Sequence, residues 1–144
     1  MGTMKFGRRF KILFFVIAIA MYASGAGQFV AARWFPVERG FGPEPSGLAI
    51  ALLRAHSSVS FLFLIVFGYL LHSHVRPGLR SKKKFKSGLS VLIPIGLLTA
   101  TVPGLLYLSD ERLKPLNVFV HVAVGFAVGG VFLIHLVTRP KTRI

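Results

Sequence analysis

Four apolar stretches, each long enough to cross a bilayer, constrain this chain more than any other feature: residues 12–35, 48–74, 89–108 and 116–138. A hydrocarbon span needs about 20 apolar residues, and lipid offers no partner for backbone polar groups, so stretches of this kind are expected to be helices. Together they take up roughly two thirds of the sequence by that measure. With 53% hydrophobic residues and a mean hydropathy of +0.68, the chain exceeds what a water-soluble domain of its size carries. The expected fold class is therefore all-α: an integral membrane four-helix bundle forming one transmembrane domain over residues 1–144.

The net charge of +14 first suggests nucleic acid as a partner, but the placement of the basic residues argues for none. Lys5, Arg8, Arg9 and Lys11 precede the first span. Arg76, Arg80, Lys82, Lys83, Lys84 and Lys86 fill the loop between spans two and three, and Arg139, Lys141 and Arg143 follow the fourth. In a four-span chain these segments share one side, which the positive-inside rule makes cytoplasmic. Both termini are then inside, and the acids Glu38, Glu44, Asp110 and Glu111 all fall in the two outer loops. The run 81–86 reads as a topology signal that also meets anionic lipid.

The N-terminus imitates a secretory signal, with a basic start, an apolar stretch and the small residues Ser24, Gly25, Ala26 and Gly27. The apolar character continues to Trp34 and Phe35, which favours an uncleaved first helix. Trp34, Phe35 and Tyr107 suit the aromatic belt at the outer interface. The proline- and glycine-rich loop 36–46 is expected to be irregular and exposed. Span three carries Pro94 and Pro103, each expected to kink it, with Thr99 and Thr101 placed to satisfy the freed carbonyls. A bend at Pro103-Gly104 is where a cofactor or quinone pocket would open.

Imidazole in hydrocarbon needs a partner, so an intramembrane histidine is a functional hypothesis by default. His56 and His72, with His74 two residues on, lie in span two; His121 and His135 lie in span four. Spans two and four run in the same direction, so their histidines can match level by level. His121 and His135 are 14 residues apart, about 21 Å along a helix and about 40° around it. His56 to His72 is about 24 Å in depth but about 160° around, whereas His56 to His74 is about 27 Å and on one face. Depth favours His72 and facing favours His74; a π-bulge near Gly68 or a strong tilt would reconcile either.

Two imidazoles from opposite sides suit the axial positions of a haem iron, and no span holds a carboxylate or thiol to complete a zinc or di-iron site. The absence of cysteine excludes covalent c-type attachment and thiolate ligation but does not exclude non-covalent haem. Gly68, Gly125 and Gly129 would make room for a planar macrocycle, and Arg54 and Arg76 are placed to meet its propionates. The expected assignment is His56 with His121 for an outer haem, and His72 or His74 with His135 for an inner one.

With this architecture, the 14-residue spacing of His121 and His135, and His56 followed by His72-Ser73-His74 ahead of Arg76-Pro77-Gly78, the chain resembles the small four-helix di-haem cytochromes b of bacterial membranes. The resemblance spans the whole length, and departs from the family in the longer spacing on span two. It implies two haems b in the cytoplasmic membrane and electron transfer across the bilayer, with a redox subunit or a soluble electron carrier on either side as partner and quinone as a candidate reactant. The competing readings are a cofactor-free membrane protein whose histidines line a proton or ion path, and a haem-handling assembly factor. No residue presents itself as a catalytic acid, base or nucleophile.

Overall fold

In the computed structural model of the protein, residues 7–40, 42–76 and 85–137 are described; side chains at 39, 74, 75, 85–88, 90, 91 and 132–137 are not. The chain is mostly helical: α1 (Arg8–Trp34), β1 (Val37–Arg39), β2 (Gly42–Glu44), α2 (Gly47–Leu70) continued by a π turn (Leu71–Val75), α3 (Phe85–Tyr107) and α4 (Leu113–Val137). These elements form two compact units, one ending at Lys83 and the other beginning at Lys84. Each is a helical hairpin.

Three helical segments, Arg8–Trp34, Gly47–Ser73 and Leu113–Val131, are long and apolar enough to cross a membrane. In α3 the described apolar portion, Leu92–Tyr107, is shorter. Large apolar side chains such as Phe61, Ile65, Leu106 and Phe119 stand about two thirds exposed or more. An apolar surface of that extent suits hydrocarbon, not water.

In the first hairpin, α1 and α2 pack antiparallel and divide into two zones. Where the start of α1 meets the end of α2, aromatic rings fill the seam. Phe10 meets Tyr69 with ring centroids 5.1 Å apart, Phe14 meets Phe63 at 6.2 Å, and Phe63 stacks on Phe67 at 5.9 Å. Ile17, Phe63 and Phe67 are buried there. Where the end of α1 meets the start of α2, small residues replace them: Ser24, Ala31 and Ala49 are buried, and a Cβ built on Gly27 would lie 3.3 Å from Leu52. The change from large to small side chains leaves room between the helices for a ring, as at Gly25 beside His56.

The loop between α1 and α2 is more regular than its composition suggests. Val37–Arg39 and Gly42–Glu44 pair as antiparallel strands, with Val37 opposite Glu44 and Arg39 opposite Gly42. Gly42, at φ 118°, takes a conformation open to glycine but strained for other residues. The prolines that forbid a helix are compatible with a strand this short, which leaves edges unpaired anyway. Ser46 then starts α2, its hydroxyl accepting from the Ala49 amide at 3.2 Å. Ser46→Ala is expected to cost about 1 kcal/mol, the usual worth of an N-cap, read as a lowered thermal unfolding midpoint.

In the second hairpin, α3 continues unbroken through Pro94 and Pro103. Each proline frees the carbonyl four residues earlier, at Ser90 and Thr99. The threonine hydroxyls serve other acceptors: Thr99 Oγ1 donates to the Ile95 carbonyl at 2.9 Å, and Thr101 Oγ1 to the Leu98 carbonyl at 2.7 Å. A hydroxyl on a helix reaches back three or four residues from its own position, so it cannot follow a gap set by a proline elsewhere.

Asp110 caps α4, one carboxylate oxygen accepting from the Arg112 and Leu113 amides at 2.9 Å each. The Leu113 bond, followed by the Arg112 bond, holds its carboxyl below the ordinary aspartate range. With the folded value depressed, the cap's contribution is fully present above the unfolded pKa and is lost as pH falls through the folded one. A carbon-13 titration of the Asp110 carboxyl is expected to give a midpoint below that of an unstructured peptide.

Candidate histidine site

Two polar side chains are buried among the described residues, Ser24 and Thr101. Each lies beside a histidine of the opposing helix in its own hairpin.

His56, half-buried in the third turn of α2, lies in the small-residue zone of α1. Its Nδ1 is 3.0 Å from the Met21 carbonyl oxygen and 3.5 Å from Ser24 Oγ. The carbonyl can only accept, so Nδ1 carries the proton and donates it. Ser24 spends its own hydroxyl proton on the Ala20 carbonyl at 2.7 Å. Gly25 makes the approach possible, since a Cβ there would fall 2.8 Å from His56 Cε1 and 2.9 Å from Nδ1. Ser60 Oγ donates to the His56 carbonyl at 2.7 Å.

His121, half-buried in the third turn of α4, has its Nδ1 2.7 Å from Thr101 Oγ1. The Thr101 hydroxyl has one proton and an acceptor-only partner in the Leu98 carbonyl. The arrangement that satisfies all three groups has Thr101 donating to Leu98 and His121 Nδ1–H donating to Thr101. One turn earlier on the same face, Asn117 Nδ2 donates to the Thr101 carbonyl at 2.9 Å. Gly104 admits that carboxamide: a Cβ there would lie 2.6 Å from Asn117 Nδ2. Among the described residues no buried side-chain nitrogen or oxygen lacks a partner.

In the neutral ring these bonds place the proton of both histidines on Nδ1 and leave the lone pair on Nε2. A metal-ligating histidine has this arrangement, with one ring N–H donated to a protein oxygen and the other nitrogen facing the metal. The two use it at nearly the same distance from the start of their helices, about 13 Å for His56 and about 12 Å for His121 at 1.5 Å per residue.

Two further candidates sit at the π turn. Leu71–Val75 carries both His72 and His74, three residues beyond the Gly68 position at which the spacing had suggested a bulge. Such a turn rotates less per residue than an α-helix, and π turns concentrate at functional sites. It turns the His72 position towards the face of His56 and the His74 position away, compared with a straight helix. His72 is exposed, while the side chains of His74 and His135 lie outside the described residues. Ser73 Oγ donates to the Tyr69 carbonyl at 2.6 Å.

The remaining candidates are on open surface or in ordinary contact. Arg54 and Arg76 are exposed, and Gly68 is exposed with nothing within 4 Å of a built Cβ. Gly125 meets only Leu98 Cδ2 at 4.0 Å, and Gly129 is half-buried. Sequence reasoning missed Met21, Ser24 and Asn117. A hydroxyl-bearing or small residue facing a membrane histidine was the available signal, but the pairing depends on helix register.

Among the described residues no three His, Cys, Asp or Glu side chains converge as a metal cage. Axial ligation of haem requires only one nitrogen from each side, and the donor chemistry of His56 and His121 fits it. No family model matches the chain, and neither the curated proteins nor the solved structures contain a match to it.

Proposed function

We propose that this protein is a multi-pass di-haem cytochrome b of the bacterial cytoplasmic membrane, with both termini inside, that moves electrons across the bilayer. The observation that carries the reading is the Nδ1 of both His56 and His121 held within hydrogen-bond distance of a protein oxygen, which in the neutral ring leaves the lone pair of a ligand on Nε2. A proton relay would favour neighbouring carboxylates, and no aspartate or glutamate lies in any apolar stretch.

When bound, haem supplies one-electron redox chemistry that no side chain here offers. The chain's own residues hold and tune it. His56 and His121 would be ligands towards the outer face, and His72 or His74, with His135, ligands towards the inner face. Arg54 and Arg76 are the cations available to the propionates. The apolar helix faces exclude water and lower the dielectric, which tunes the potential. A quinone pool and a separate redox subunit or soluble carrier are the expected reaction partners.

The test is the visible spectrum of the full chain purified from membranes. Sharp reduced bands of low-spin bis-histidine haem are expected; a chain that is folded, membrane-extracted and free of any haem absorption would contradict the reading.

A further inference from the structure

His56 and His121 differ in what holds them. The acceptor for His56 is a main-chain carbonyl, at Met21, which no side-chain substitution removes and which cannot donate. The acceptor for His121 is a hydroxyl, Thr101 Oγ1, at 2.7 Å. A hydroxyl both donates and accepts, so its direction depends on the Leu98 carbonyl that takes its proton at 2.7 Å. The threonine is in turn fixed from the other side, where Asn117 Nδ2 donates to its carbonyl over the space left by Gly104. Asn117 and His121, one turn apart on α4, thus grip a single residue of α3, and that residue is 6% exposed.

We infer that Thr101 is the positioning residue of His121: its hydroxyl keeps the proton on Nδ1 and so makes Nε2 the lone-pair nitrogen. The chain Nδ1–H to Oγ1 to the Leu98 carbonyl runs in one direction, so each bond polarises the next. It gives the ring more electron density than an isolated neutral imidazole has. The inference deepens the haem reading and rests on it for the identity of the ligand; the tautomer itself is a property of the chain alone.

Thr101→Val keeps the side-chain shape while removing the acceptor, and Thr101→Ser keeps the hydroxyl. Nitrogen-15 spectra of the histidine rings in the full chain, with and without added haem, are expected to show His121 protonated at Nδ1 in the wild type and T101S, and redistributed towards Nε2–H in T101V. Where haem is bound, T101V is expected to weaken its retention about 10- to 100-fold, as loss of a ligand's outer partner does, and to shift one midpoint potential positively. T101S restores both. Should T101V fail to fold, Thr101→Ala replaces it with less branched bulk.

A wild-type ring protonated at Nε2, or a T101V protein with unchanged ring signals, retention and potentials, would overturn the inference while leaving the haem reading standing. A colourless wild type whose ring signals still follow Thr101 would sink the haem reading and uphold the positioning role.

Discussion

Replacing His121 by alanine is expected to remove one of two haems from the purified protein, halving the ratio of haem to chain while helicity stays unchanged. The fold does not depend on that ring. The second hairpin is held by the buried Ile95, by Leu98 against Gly125 and by Asn117 bonded to Thr101, all of which survive the substitution. Deletion leaves Thr101 Oγ1 without the donor it now has at 2.7 Å, but the threonine keeps its bond to Leu98, so no buried group is orphaned. The effect should therefore appear in the absorption spectrum and not in circular dichroism. Unchanged haem content in a folded H121A protein would remove His121 from the ligand set.

A second large effect is expected from Gly25→Ala. The new methyl would stand 2.8 Å from His56 Cε1 and 2.9 Å from Nδ1, closer than side chains tolerate. The ring is the end of a side chain and the helices are not, so the ring moves, and its bond to the Met21 carbonyl at 3.0 Å is lost. Overpacking of this kind costs about 1–3 kcal/mol, seen as a lower unfolding temperature. Because the displaced atoms belong to a proposed ligand ring, loss of the haem assigned to His56 is expected to accompany it. Gly125→Ala is the control. Its methyl would meet only Leu98 Cδ2 at 4.0 Å, an ordinary contact, so stability and haem content should stay close to wild type.

The helices were legible because length and composition decide them. The sequence puts the first span at 12–35 and the helix runs Arg8–Trp34; it puts the last at 116–138 and the helix runs Leu113–Val137. Helices two and four begin before their apolar stretches because capping residues set their starts, Ser46 for α2 and Asp110 for α4. The β1–β2 hairpin was not legible, since strands of three residues leave no periodicity to read.

His56 and His121 were also legible, because an imidazole in an apolar stretch is conspicuous on composition alone. Their partners were not. Thr101 stood out only for its nearness to Pro103, and Ser24 only as part of a signal-like run of small residues. Which residue of α1 or α3 faces a given histidine follows from how two helices slide against each other. That register is set by packing such as Phe14 on Phe63 and Gly104 under Asn117, contacts that leave no mark along a single strand of sequence. The π turn falls between these cases: the mismatch in histidine spacing left open a bulge near Gly68 or a strong tilt, and a π turn lies at the histidines themselves.

Haem quantification on the intact purified chain, by pyridine haemochrome alongside a reduced-minus-oxidised spectrum, separates a di-haem cytochrome from a cofactor-free membrane protein. Two haems b per chain with low-spin, bis-histidine bands are expected. A folded, membrane-extracted protein that stays colourless after growth with a haem precursor would contradict the di-haem reading.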